Sequence, residues 1–198
     1  MTKITNVQRK QILRFAEENC KNNDLNHDFR HAKLTAKFAL LLAKLEGADK
    51  EACEIAGLLH DVSHRISKEH HAKLGADSVK QFLKKIKVDP KLANKICLAI
   101  AHHNQRSYAA DKRAKTQEEK VVFDADRLSA LGPMGFCRDF TYCLLYQKMH
   151  PYDAVIDGKN YVLTRYNQLK TKSAKKIGKK PQEVMDAFYR IFESQQKP

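Results

Sequence analysis

The chain has 198 residues, enough for one packed domain and few for two, so a single domain over residues 1–198 is expected. Its start, MTKITNVQRK, lacks the apolar core of a signal peptide, and the strongly apolar stretch at 38–43 is too short to cross a bilayer. Five scattered cysteines without a CxxC spacing argue against a disulfide framework and a zinc ribbon. These features predict a cytoplasmic protein with no membrane partner, and they leave its oligomeric state open.

The formal net charge of +14 favours anionic ligands, because a positive field concentrates phosphate-bearing molecules and speeds their association. Six lysines fall within residues 169–180. We interpret this segment as a solvated helix face or linker, and contact with nucleic acid is the less favoured alternative. No aromatic residues alternate with these lysines, so a stacking platform for single strands is not indicated.

Apolar residues recur at helical spacing along the chain, and no stretch shows sustained two-residue alternation. An all-α fold is therefore predicted. Prolines 90, 133, 151 and 181 mark expected boundaries between helices, because the residue before proline is pushed out of the helical region. One helix is expected to end before Gly47, and the others are predicted at residues 6–21, 50–62, 70–86, 91–104, 118–131, 134–148, 160–173 and 182–195.

The helix that ends before Gly47 carries a predicted inward stripe, and Asp24 or Asn26 is its expected N-cap. One turn back along that stripe lies His31. The members of the stripe are Leu34, Phe38, Leu41, Leu42 and Leu45.

Three later helices also direct polar side chains inward. Spacing from Ile96 and Ala99 predicts that His103 faces the core, while His102 points about 100 degrees away. His71 lies at the inner edge of its helix, and Asp126 follows Val122 by four residues. Several helices thus bring polar side chains toward a common interior, as in the metal sites of helical bundles.

Each of these residues also has a structural explanation. A single histidine on an apolar stripe is more often a hydrogen-bonded core residue than a ligand, and Asp126 could pair with Arg127. Buried carboxylates are costly unless they are paired or bound to a metal. We interpret His27 and His150, which the spacing does not link to the other residues, as structural.

Three segments together resemble the HD-domain superfamily of metal-dependent phosphohydrolases, and most closely a subgroup of small HD hydrolases. They are HAKLTAKFALLLAKLEGADKEACEIAGLLHD, AIAHHN and VVFDADRLSALGPMGFCRDF, within about residues 25–140. The resemblance implies a helical HD-domain bundle with a metal site in its core, and C-terminal helices at about 150–198 that pack on it or extend it. Its implied ligands are His31, His60, Asp61 and Asp126.

Nitrogen and carboxylate ligands suit a divalent ion, and Mn, Fe, Ni, Co, Mg or Zn all remain candidates. Related two-metal enzymes carry histidines in the intermediate segments, so the resemblance implies a second metal position for His71 and His103, with His102 left open.

The resemblance also implies roles around the substrate. Asp61 and His64 are the expected catalytic residues, with His64 either a general acid or, alternatively, a solvent-facing histidine. Arg65, Lys68 and Arg127 are expected to bind the substrate, although Arg127 has a structural alternative in pairing with Asp124.

Two positions depart from the family pattern. Leu34 replaces a frequent arginine and Ser129 a frequent aspartate. Neither position is a direct ligand in the family, so the departures concern substrate identity more than metal binding.

The sequence therefore predicts a metal-dependent phosphohydrolase that acts on a small phosphate ester, such as a nucleotide or related metabolite. The alternative is a catalytically silent HD scaffold that binds nucleic acid or an acidic partner.

Overall fold

A computed structural model describes residues 3–104 and 114–196, and within these ranges the protein consists of helices joined by loops, with no strand. The predicted all-α fold is confirmed. In the described part of the chain, no helix combines the length and apolar character needed to cross a membrane. The helices are α1 (Asn6–Cys20), α2 (Phe29–Glu46), α3 (Lys50–Leu59), α4 (His71–Lys85), α5 (Pro90–Ala101), α6 (Gln117–Ser129), α7 (Gly132–Tyr146), α8 (Pro151–Asn167) and α9 (Lys172–Ser194).

The ends of α2 are set by its caps. The Asp28 side chain accepts a hydrogen bond from the backbone N–H of His31, and Gly47 ends the helix in the left-handed conformation with φ of 69°. The expected N-cap, Asp24 or Asn26, was wrong. Asp24 instead accepts hydrogen bonds from the backbone of Asn26 and the ring of His27, and so belongs to the loop before the helix.

The buried face of α2 consists mainly of small residues. Ala32, Ala39 and Ala43 are fully buried, whereas Leu41 and Leu45 are 42% and 56% exposed. The prediction that both leucines face inward was wrong, because small side chains let α2 approach its neighbours closely and leave these leucines on the outer side. The buried face includes His31 and Thr35.

Close approach of α2 and α3 depends on Gly57. A Cβ atom at this position would lie 3.1 Å from Ala36 Cα and 3.1 Å from Ala39 Cβ. The absence of a side chain therefore lets the two helices pack backbone against backbone. This packing brings the end of α3, with His60, against the first turns of α2, with His31.

The C-terminal helices differ from their predicted bounds. The predicted helices at 160–173 and 182–195 are replaced by α8, which begins at Pro151, and by α9, which runs through Pro181. Pro151 occupies the first turn, where a missing N–H costs nothing. Packing holds α9 on both sides of Pro181: Gly178 lies against Leu128, Leu131 and Leu169, and Met185 belongs to a small cluster with Val162 and Tyr189.

The N-terminus of α9 is fixed by a buried carboxylate of α6. Asp124 accepts hydrogen bonds from the backbone N–H groups of Lys170 and Thr171 and from the Thr171 hydroxyl, at 2.7–2.9 Å. These contacts replace the ion pair with Arg127 that the sequence left as an alternative for Asp124.

Candidate metal centre

Three segments of the chain carry the four residues that the sequence assigned to the first metal. His31 lies in the first turn of α2, His60 and Asp61 follow directly on α3, and Asp126 lies in α6. The first three are at most 4% exposed. Buried polar groups of this kind need partners that compensate for lost hydration.

One group of ligand atoms gathers around His31 and His60. Their Nε2 atoms lie 3.1 Å apart. Asp126 Oδ1 lies 3.3 Å from Nε2 of His31 and 3.7 Å from that of His60. Asp61 Oδ2 lies 3.0 Å from His60 Nε2 and 3.5 Å from His31 Nε2. All four predicted ligands of the first position therefore meet.

A second group lies on the other side of the same aspartate. Asp61 Oδ1 is 3.5 Å from His71 Nε2 and 3.6 Å from His103 Nε2, and these nitrogens lie 3.2 Å apart. One oxygen of the Asp61 carboxylate thus faces His31 and His60, and the other faces His71 and His103. This arrangement can serve two ions that share one carboxylate.

Hydrogen bonds donated by Nδ1 orient three of the histidines. His60, His71 and His103 each place Nδ1 within 2.6–2.9 Å of a backbone carbonyl, those of Gly57, Lys68 and Ile100. A carbonyl oxygen only accepts hydrogen bonds, so Nδ1 carries the proton and the neutral ring keeps its lone pair on Nε2. Metal-binding histidines commonly have such partners.

His31 is oriented by Ser129. The serine Oγ lies 2.7 Å from the carbonyl of Asp126, to which it donates, and 3.1 Å from His31 Nδ1, from which it therefore accepts. The residue that departs from the family pattern thus orients a predicted ligand.

The geometry fits a cation at the first group. Neutral imidazoles whose lone pairs face each other at 3.1 Å repel unless a positive charge lies between them. Two imidazole nitrogens that bind one ion at ~2.0–2.1 Å are separated by roughly 3–3.4 Å. Asp61 Oδ2 is buried and has no hydrogen-bond partner. An ion would satisfy all these atoms.

Electrostatic coupling in the centre is strong. Burial disfavours the Asp61 carboxylate, but the charge of His60 and the nearby rings of His103 and His31 outweigh it, so the Asp61 pKa lies well below its usual value. Burial opposes the charged form of His60, yet Asp61 and Asp126 raise its pKa to about 9, so these carboxylates favour a positive charge beside Nε2, which either a proton or a metal ion can supply. Burial and the neighbouring His103 lower the pKa of His71 to about 4.

Two predicted site residues lie elsewhere. His102 places Nδ1 2.9 Å from Glu119 Oε2 and is not brought to the Asp61 carboxylate. Arg65 is exposed and does not line the cavity beside the cluster. Arg127 does line the cavity, but it donates to Gln168 and to the carbonyls of His103 and Phe123.

His64 lines the cavity and stacks on His27, with ring centroids 3.6 Å apart. His27 Nδ1 lies 2.6 Å from Asp24 Oδ1. His27 also lines this cavity. The sequence did not predict that position, because the spacing of His27 does not link it to α3. Asp24, His27 and His64 have ligand spacing, but Lys68 already places a positive charge 3.9 Å from Asp24. We assign no ion there.

The cavity has a volume of about 510 Å³ and extends from the histidine cluster to α7 and α8. Its outer wall contains residues that sequence reasoning missed, because no metal-ligand pattern marks them. The charged members of this wall are Arg138, Asp139, Asp157 and Arg165.

Comparisons with known proteins agree with this fold. A family model of the HD domain matches residues 28–131. The uncharacterised protein YpgQ of Bacillus subtilis is 27% identical over 136 residues, which cover 68% of this chain and 66% of YpgQ, just under two thirds of its length. The structure of YpgQ in complex with ADP is similar, with a TM-score of 0.73, 23% identity, and coverage of 95% of this chain and 97% of that one.

An HD-superfamily hydrolase from Bacillus thuringiensis is also similar, at 24% identity with a TM-score of 0.72. That match covers 97% of this chain and 98% of the other. At these identities the solved structures establish a shared fold.

Proposed function

This chain belongs to the HD domain family, and we propose that it is a divalent-metal-dependent phosphohydrolase that acts on a small phosphate ester. Family membership supports a metal-dependent phosphohydrolase in general. The observation that carries the proposal is the position of Asp61, whose two oxygens each face a pair of histidine Nε2 atoms. A catalytically silent scaffold would not require this costly burial of facing ligand atoms.

His31, His60, Asp61 and Asp126 would hold the first ion, and Asp61, His71 and His103 a second. A bound divalent ion supplies Lewis acidity, which polarises a phosphoryl oxygen and lowers the pKa of a water from ~15.7 toward ~7 in favourable cases. The protein contributes by fixing the ligand atoms through the Nδ1 hydrogen bonds and by excluding bulk water around Asp61.

His64 and Lys68 would contact the substrate phosphate. Burial and the adjacent His27 lower the pKa of His64 to about 3, so its ring is neutral at neutral pH. We therefore assign His64 the role of a hydrogen-bond donor to a phosphoryl oxygen, in place of the general acid expected from the sequence. Lys68 supplies positive charge at the same wall of the cavity.

Arg127 would act mainly on the shape of the site. Its hydrogen bond to the His103 carbonyl and its position over the Phe123 ring, 3.3 Å from the ring centroid, tie α6 to the end of α5. We propose no direct substrate contact for Arg65 or His102.

We further propose that the substrate is a nucleotide. The similar protein YpgQ was solved with ADP, and the cavity of this chain is large enough for a phosphate group together with a further moiety. Because the cavity takes its walls from both the motif segment and α7–α8, we propose that the whole chain works as one domain. The free state of all five cysteines is compatible with a reducing cytoplasm.

The test compares metal content and phosphate release in wild type, Asp61→Ala and the matched exposed variant Asp77→Ala. Each protein is treated with chelator, reloaded with Mn, Fe, Ni, Co, Mg or Zn, and assayed on AMP, ADP and p-nitrophenyl phosphate. We expect metal-dependent release in wild type and Asp77→Ala, and neither metal nor release in Asp61→Ala. Absence of hydrolysis with every ion, together with tight, salt-sensitive nucleic-acid binding, would favour the silent scaffold.

A further inference from the structure

Three arginines line the cavity, and two of them are engaged in holding the backbone. Arg127 donates to the carbonyls of His103 and Phe123. Arg138 donates to the carbonyls of Ser129 and Asn26. Such hydrogen bonds fix the walls of the site and leave few donors for a ligand.

Arg165 differs from both. Within the described part of the chain, none of its guanidinium nitrogens makes a hydrogen bond or ion pair, and its Nε atom, like that of Arg138, is buried without a partner. The guanidinium carbon lies 3.7 Å from the centroid of the Tyr161 ring, which holds the side chain in place by stacking. An oriented arginine with unused donors in a cavity is suited to bind an oxyanion.

Asp139 is the acidic counterpart on α7. Asp139 is 7% exposed and lines the cavity, and its Oδ2 atom has no hydrogen-bond partner. Glycine at position 158 leaves space beside it, since a Cβ there would lie 3.4 Å from Asp139 Oδ2. A buried carboxylate oxygen without a donor is costly, and a hydroxyl group of a ligand would satisfy it.

Both residues lie outside the segment that the HD model matches, residues 28–131. Burial, with Arg127 and Arg138 nearby, lowers the pKa of Arg165 to about 10, so the guanidinium stays charged at neutral pH. Asp126 of the histidine cluster and Asp139 oppose this shift by stabilising the positive charge. Arg165 is therefore within electrostatic reach of both the reacting centre and the outer carboxylate.

We propose that Arg165 and Asp139 form the subsite that selects the non-reacting part of the substrate. Arg165 binds a second anionic group adjacent to the phosphate at the histidine cluster, and Asp139 accepts a hydrogen bond from a hydroxyl group of the attached sugar. The proposal rests on the proposed function, and it names a nucleoside diphosphate as the simplest compound with all three features.

The test measures binding by calorimetry and turnover with manganese for ADP, AMP and p-nitrophenyl phosphate. Wild type should bind ADP more tightly than AMP. Arg165→Gln should weaken ADP binding roughly 10- to 100-fold, the range for a hydrogen bond to a charged group, and leave the KM for p-nitrophenyl phosphate within about twofold. Arg165→Lys should recover part of the loss.

The matched control is Arg30→Gln, which removes the same charge from an exposed position on α2. It should leave the preference for ADP unchanged. Asp139→Asn should reduce the difference in affinity between ADP and its 2′,3′-dideoxy analogue. Thermal unfolding of each variant verifies that the fold is retained.

Three outcomes would overturn the subsite: equal affinity of wild type for ADP and AMP, the same loss for ADP and p-nitrophenyl phosphate in Arg165→Gln, or an equal effect of Arg30→Gln. Failure of the proposed function has a different signature, namely no phosphate release from any compound by metal-loaded wild type. The calorimetric comparison of ADP with AMP still decides the role of Arg165 in that case.

Discussion

The Nε2 atoms of His31 and His60 lie 3.1 Å apart, although 29 residues separate the two histidines in the chain. Each ring has its other nitrogen engaged, by Ser129 in one case and by the Gly57 carbonyl in the other. The pair is therefore held in the orientation that a shared cation requires before any ion binds. Substitution of a residue that holds Nδ1 should therefore weaken metal binding, as substitution of a ligand would.

Ser129→Ala should weaken binding of the first metal about 10- to 100-fold, because it removes the acceptor that fixes the His31 ring. Because the buried His31 Nδ1–H loses its partner, the free energy of unfolding should also fall, by about 1–3 kcal/mol. Metal affinity is measured by competition with a chromogenic chelator, and Ser78→Ala, on α4, is the control. Unchanged affinity in Ser129→Ala would show that the hydroxyl does not orient His31.

His71→Ala and His103→Ala should each remove a second, weaker metal-binding event, since both rings face Asp61 Oδ1. His102→Ala is a closely matched control, because His102 adjoins His103 but contacts Glu119. Isothermal titration should show two events in wild type and His102→Ala, and one in the other variants. If His71→Ala and His103→Ala bind metal like wild type, both histidines serve only the core.

Arg127→Ala should lower the free energy of unfolding by about 2–3 kcal/mol, because it leaves the carbonyls of His103 and Phe123 without their charged donor in a buried region. Urea denaturation measures the change, and Arg30→Ala serves as the exposed control. A loss no greater than that of the control would assign Arg127 to substrate binding alone.

Asp49→Ala should destabilise the protein by about 1–2 kcal/mol at neutral pH, because Asp49 caps α3 through Ala52 and pairs with Lys95. Burial disfavours this carboxylate, but the hydrogen bonds from Lys95 and Ala52 outweigh it and lower its pKa. A lowered folded-state pKa gives stability that is present above the unfolded value of ~3.9 and is lost as the pH falls through the folded value.

The difference in unfolding free energy between wild type and Asp49→Ala should therefore narrow below about pH 4. Denaturation at a series of pH values tests this, with Asp77→Ala as the exposed control. A difference that stays constant to low pH would mean that the charge of Asp49 contributes nothing.

Replacement of five exposed lysines of α9 by glutamine should leave turnover of a small phosphate ester nearly unchanged, because exposed charges beyond about 8 Å are largely screened at physiological salt. Lys170 is excluded from the set, since its ammonium lies 4.4 Å from the Phe123 ring centroid. Any nucleic-acid affinity should fall and lose its salt dependence. Reduced kcat at physiological salt would contradict this prediction. The lysines are Lys172, Lys175, Lys176, Lys179 and Lys180.

The sequence by itself determined the helical class and which polar residues face the interior. Helical spacing predicted that His103 faces inward, because a rotation of about 100 degrees per residue is a local property of the helix. His103 is buried as predicted, although α5 itself ends at Ala101. The end of α2 at Gly47 was likewise predictable, since glycine adopts the left-handed backbone conformation without steric cost.

Tertiary structure decided what depends on contacts between distant segments. The outward position of Leu41 follows from the close packing of α2 on α3 at Gly57, and the continuity of α9 through Pro181 follows from packing at Gly178 and Met185. The stacking of His27 on His64 and the open donors of Arg165 arise in the same way. No local pattern encodes these features, because the partner of each group lies far away in the chain and is fixed only when the helices pack.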